Sequence, residues 1–176
     1  MNRLLLVFAA IVCALAAANA RAQEACPDAA HDLLHYAGTY QSVQLLAEPA
    51  VAAKLKKLLG PELAHMKRNL DVVGPVDLIS CDLVISGNAE HQGGEENAIV
   101  AIDIHSGAVA AAIMSQGKIA IYADTGKTMA GMAYEEAVPL AIKDWLAVIY
   151  TKFYFRLHPP ANTRLLPPSG AIPPPH

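Results

Sequence analysis

The spacing of apolar and polar residues changes character along the chain. Residues 28–36 read as a short helix capped by Asp28 and ended by Gly38. From Glu48 to Leu59 the period is helical. Val51, Leu55, Leu58 and Leu59 make an apolar stripe, Pro49 stands in the first turn, and Lys54, Lys56 and Lys57 fall elsewhere. Gly60-Pro61 stops this helix, and a further one is expected from Pro61 to about Asn69. Gly74-Pro75 marks a switch to strand periodicity. Residues 76–79 and 83–86 read as a hairpin around Ser80-Cys81-Asp82. Residues 98–104, 108–114 and 118–123 follow as three strands joined by the short turns Ser106-Gly107 and Gln116-Gly117. Residues 134–155 return to a helical pattern, with Leu140, Trp145, Leu146 and Ile149 able to face a core and the single tryptophan as an anchor. The expected fold is α+β: an antiparallel meander sheet of about five strands packed with N-terminal and C-terminal helices.

The two faces of that sheet differ. Val100, Ile102 and Ile104 alternate onto one side, matched on the next strand by Val109, Ala111 and Ile113. The other side of that strand carries Ala108, Ala110, Ala112 and Met114. A face of small residues lets a helix approach closely, and sheets usually cover a face with helices.

The ends of the chain divide it further. Arg3 followed by an uncharged apolar run from Leu4 to Ala18 and two small-x-small sites reads as a secretory signal peptide over residues 1–22, with cleavage expected after Ala22. Residues 23–156 are then a single α+β domain, and 157–176 a proline-rich tail expected to be extended or disordered. No second membrane span follows, because the most apolar later stretch, Ala98 to Met114, is broken by Asp103, His105 and Gly107. Cleavage removes Arg3 and Arg21, so 13 basic residues against 16 acidic become 11 against 16, and the net charge moves from −3 to −5. That balance argues against a nucleic-acid partner, which needs a basic stripe, and suits a cationic protein partner. Cys13 leaves with the leader. Cys26 and Cys81 remain as an even pair in an oxidising compartment, and a disulfide between them is a reasonable expectation.

One segment stands apart from the packing pattern: Ser86-Gly-Asn-Ala-Glu-His-Gln-Gly-Gly-Glu-Glu-Asn97, lying between two strand-like runs. It holds three carboxylates, one histidine and three glycines. As a metal site it is short of nitrogen and sulfur ligands; no His-x-x-x-His or Cys-x-x-Cys accompanies it, and neither metal nor cofactor is expected. As a catalytic site it offers Glu and His for acid–base work, but no nucleophile elbow surrounds Ser86 and no phosphate-binding glycine pattern follows Gly93-Gly94. As a recognition loop it fits better, since loops on rigid scaffolds carry binding and glycines allow close approach. The candidate contact residues are Asn88, Glu90, His91, Gln92, Gly93, Gly94, Glu95 and Glu96. A solvated connection with no role is the bland alternative.

The layout of Gly74 to Ala123, with helices before an antiparallel sheet and a histidine-bearing loop between its second and third strands, resembles the Ivy-type periplasmic inhibitors of vertebrate lysozyme. The resemblance implies a loop whose histidine plugs the lysozyme active site and meets the catalytic carboxylates, with His91 in that role. It also implies cysteines on either side of the histidine, as C-K-P-H-D-C, where this chain has Ala89-Glu90-His91-Gln92-Gly93. The expected function is that of a secreted or periplasmic protein-binding module, not an enzyme, acting on a cell-wall hydrolase or toxin through residues 87–97. The alternatives are a small hydrolase or a ligand- or metal-binding protein using His91, its carboxylates and His105, and a structural envelope protein that makes contacts through its alanine-rich face or tail.

Overall fold

The computed structural model describes Cys26, residues 31–123 and 138–149, and the backbone of 163–166. The expected leader, the Asp28 cap, the outer turns of the last helix and most of the proline-rich tail lie outside the described residues. Helix α1 (His31–Leu34) is followed by α2 (Ser42–Ala47) and α3 (Pro49–Leu59). A 3₁₀ turn, Gly60–Glu62, leads into α4 (Leu63–Arg68). The sheet contains β1 (Val72–Val73), β2 (Asp77–Ile79), β3 (Asp82–Asn88), β4 (Glu96–Asp103), β5 (Val109–Ser115), β6 (Lys118–Ala123) and β7 (Thr163–Leu166). Helix α5 (Leu140–Ile149) lies between β6 and β7 in sequence. No helix among the described residues is long and apolar enough to cross a membrane.

The strand order is β1-β3-β4-β5-β6-β7, with β2 also pairing β3. The expected five-strand antiparallel meander, β2 to β6, is present. Two strands extend it. β1 pairs with the far half of β3, placing Val72 opposite Asn88, and β7 adds a parallel edge on β6 from within the proline-rich tail. Helix α2 is the element the sequence pattern did not bring out. It buries only Ser42 and Leu45, its Gln41 cap makes no side-chain bond, and Pro49 follows directly, so it carries few of the usual helix signals.

The sheet buries both faces, in two separate clusters. On one, Val51, Leu55, Leu58 and Leu59 of α3 and Met66 of α4 pack on Leu83, Ile85, Val100, Ile102, Val109, Ala111 and Ile113. Each such fully buried Leu or Ile is worth about 1.5–3 kcal/mol relative to an exposed one. On the other, Ala141, Ile142 and Leu146 of α5 pack on Val84, Ile99, Ala101, Ala110, Ala112 and Met114. The alanine face is therefore a helix seat. Trp145 touches this second cluster from its edge, half-buried, so the smaller Ile142 and Leu146 fill its centre. Cys26 and Cys81 are joined by a disulfide that ties the start of the domain to the β2–β3 turn. Ser80 and Cys81 in that turn both have positive φ, as the right-handed twist of a two-residue hairpin requires.

Candidate functional site

The β3–β4 ladder runs further than the pattern of apolar residues shows. Gly87 pairs with Ala98, and Asn88 with Asn97, so both ends of the polar segment belong to the sheet. Gly87 is required there: a Cβ would overlap the carbonyl oxygen of Val72 on β1. The loop proper is residues 89–95. It is built of hydrogen-bonded turns. Ala89 donates its amide to the Glu96 carbonyl at 3.0 Å, and Gln92 to the Ala89 carbonyl at 3.0 Å. The amides of Glu95 and Glu96 both donate to the Gln92 carbonyl, at 3.1 and 3.0 Å. Two asparagines brace these turns from the strand ends. Asn88 Nδ2 donates to the Ala89 carbonyl at 2.8 Å, and Asn97 Oδ1 accepts from the Gly94 amide at 2.8 Å. The amide of Gln116, in the neighbouring β5–β6 turn, donates to the Glu95 carbonyl at 3.1 Å.

At the tip the side chains face water. Glu90, His91, Gln92, Gly93, Gly94 and Glu95 are all exposed, and the His91 side chain is 90% so. His91 has φ 58°, a left-handed conformation that turns the chain back and projects the imidazole outward. Its Nε2 lies 3.4 Å from Glu90 Oε1, a solvent-exposed contact that contributes little and leaves both groups accessible to a partner.

Glu96 departs from the expectation that it belongs to the exposed surround. It is the first residue of β4, and its carboxylate turns inward. Ser115 Oγ donates to Oε1 at 2.6 Å, Asn69 Nδ2 donates to Oε2 at 3.2 Å, and His65 Nε2 lies 2.9 Å from Oε2. Burial alone would raise this carboxyl, but the bonds from His65, Ser115 and Asn69 outweigh it and hold the group below the ordinary glutamate range. Asn69, fully buried, also donates to the carbonyls of Asn97 and Met114 at 3.3 and 3.2 Å. His65, Asn69 and Ser115 escaped the sequence reading. The signal was partial: His65 and Asn69 are four residues apart at the end of one helix, and Ser115 faces Glu96 across the ladder.

His105 does not join His91. It lies in the turn after β4, at the opposite end of the eight-residue strand from the loop, and its amide donates to Asp103 Oδ1 at 3.0 Å. A strand of that length spans about 26 Å, so a shared site for the two histidines is ruled out. Among the described residues no group of three or more His, Cys, Asp and Glu is placed to hold a metal ion. A groove of about 280 Å³ between α2 and α4 is lined mainly by Val43, Leu46, Leu70 and Val73, with Lys67 and Asp71 also lining it.

A family model described as Inhibitor of vertebrate lysozyme (Ivy) matches residues 50–151, more than half of the chain. The chain belongs to the Ivy family. The matched region runs from the first turn of α3 past the end of α5 and includes the whole loop. No curated protein and no solved structure gives a match. Ivy is a family of inhibitors and not of enzymes.

Proposed function

We propose that this protein, exported to the periplasm or beyond, inhibits a lysozyme of the vertebrate type or a related cell-wall muramidase by inserting the 89–95 loop into its cleft. The observation that carries the reading is the contrast within the loop: a base fixed by backbone, asparagine and Glu96 contacts, and a tip whose His91 is almost wholly exposed. Rigid presentation lowers the ordering cost of binding. His91 is the central contact, offering an imidazole to the acidic pair of a muramidase cleft. Gln92, Gly93 and Gly94 allow close approach, and Glu90 and Glu95 face the cationic surface around the cleft. Here turns and asparagines brace the loop in place of the two cysteines implied by the family resemblance.

The test is inhibition of a panel of muramidases by the mature domain. His91→Ala is expected to weaken inhibition of the susceptible enzyme by about thirty-fold or more, the scale of a central interface residue. His91→Asn, which tolerates left-handed backbone, separates loss of the imidazole from backbone strain and should weaken inhibition similarly. Inhibition that survives both changes would assign the contact to another surface.

A further inference from the structure

His65 occupies an unusual electrostatic position. Its Nδ1 lies 3.1 Å from Glu62 Oε2 in the 3₁₀ turn, and its Nε2 lies 2.9 Å from Glu96 Oε2 on β4. A neutral imidazole has one N–H and one bare lone pair, so it satisfies one of these carboxylates and turns a lone pair on the other. An imidazolium donates to both. Among the described residues, Glu62 and Glu96 are the ionisable groups in contact with the ring. Ser115 from β5 and Asn69 from the end of α4 are uncharged and reach Glu96. Imidazole is also the side chain whose charge ordinarily changes between about pH 5 and 8.

What the ring holds matters more than the pairing itself. The main chain of Glu96 closes the loop from both sides, accepting from the Ala89 amide and donating to the Gln92 carbonyl. Its side chain is the point where α4 grips that main chain. We propose that His65 is a pH-sensitive clasp on the recognition loop: protonated, it donates to both Glu62 and Glu96 and fixes the loop base against α4, and neutral, it has one N–H for two carboxylates, so Glu96 loses its charge-assisted bond in either tautomer and the loop loosens. His65 is thus a positioning residue acting through Glu96. Its consequence for inhibition rests on the function proposed above, whereas the clasp itself is a property of the free domain.

Amide hydrogen exchange of the mature domain between pH 5.5 and 8, expressed as protection relative to intrinsic exchange, reads the clasp directly. Measured in the Asp82→Asn background, which removes the carboxyl that changes charge near pH 6 at the far end of the ladder, protection at Ala89, Gln92 and Glu96 should fall about ten-fold from pH 5.5 to 8, the scale of one hydrogen bond to a charged group, while Ile104 and Gly107 stay constant. His65→Gln should give low protection at the loop with no pH dependence, and His65→Arg, a permanent cation with planar donors, should keep protection high at pH 8. Constant protection at Ile104 and Gly107 certifies that each variant is folded. A flat loop profile from pH 5.5 to 8, or an unchanged profile on adding His65→Gln, would overturn the clasp. If the loop follows His65 but no muramidase is inhibited at any pH, the clasp stands and the inhibitor reading fails. If inhibition is found and loop protection is flat, the reverse holds.

Discussion

Glu96 and Asp82 open adjacent strands, yet they lie at opposite ends of the β3–β4 ladder and have opposite electrostatic surroundings. Glu96, at the loop end, faces Ser115 and receives bonds from His65, Ser115 and Asn69, which hold its carboxyl below the ordinary range against the cost of burial. Asp82, beside the disulfide, faces Asp103 across the ladder. Burial first, and then the charge of Asp103, push its carboxyl up to about 6. Asp103 itself stays low, because burial is outweighed by donors from the Ser106 amide and hydroxyl and the His105 amide. The sheet thus stabilises one anion where it must hold a loop and tolerates a costly one where it need only turn a corner. Charge at a strand end is an anchor only when donors from other elements converge on it.

The comparison breaks most sharply at Glu96. Glu96→Ala strands three polar partners in a half-buried site, and a loss of about 3 kcal/mol is expected in urea denaturation at pH 7. A loss under about 1 kcal/mol would mean that the network is ornamental to the fold. Asp82→Asn should do the opposite and stabilise the domain at pH 7.5 by about 2 kcal/mol. The sign follows from linkage. The folded-state pKa of Asp82 is raised, so its favourable contribution is complete below the unfolded value of 3.8 and is lost as the pH rises through about 6. Glu96, with a lowered pKa, contributes above the unfolded glutamate value of 4.5 and loses that contribution as pH falls through its folded value. Denaturation midpoints from pH 4 to 7.5 should therefore decline less with rising pH in Asp82→Asn than in the wild type. Ser115→Ala removes one donor to Glu96 and should cost about 1 kcal/mol. His91→Ala should change stability by no more than about 0.5 kcal/mol, as an exposed side chain does, and a larger loss would show that the tip is part of the scaffold.

How much of this could be read beforehand depends on range. The apolar stripe of α3, the two short turns at Ser106-Gly107 and Gln116-Gly117, and the alternation along β4 and β5 are local signals, and the structure follows them. The alanine face was legible as a helix seat because side-chain size alone decides how close a helix can come. The role of Glu96 was not legible. Its neighbours in sequence are Glu95 and Asn97, and nothing nearby distinguishes it from an exposed loop acid. The partners that turn it inward come from residues 65, 69 and 115, brought together only by the docking of α4 and the register of β5. His91 could be singled out because an isolated histidine between glycines has no packing role to play, whereas its freedom from the core is a fact of geometry.

The disulfide has a consequence in time as well as in space. Cys26 lies just beyond the expected leader, and its partner sits in a turn where two non-glycine residues hold left-handed backbone. With the two thiols reduced, that turn has no covalent support. Closing the bond restricts the unfolded ensemble across a separation of 55 residues. The same sequence is therefore looser while its two thiols are reduced and firmer once they are paired, so the bond is the last restraint the folding chain acquires.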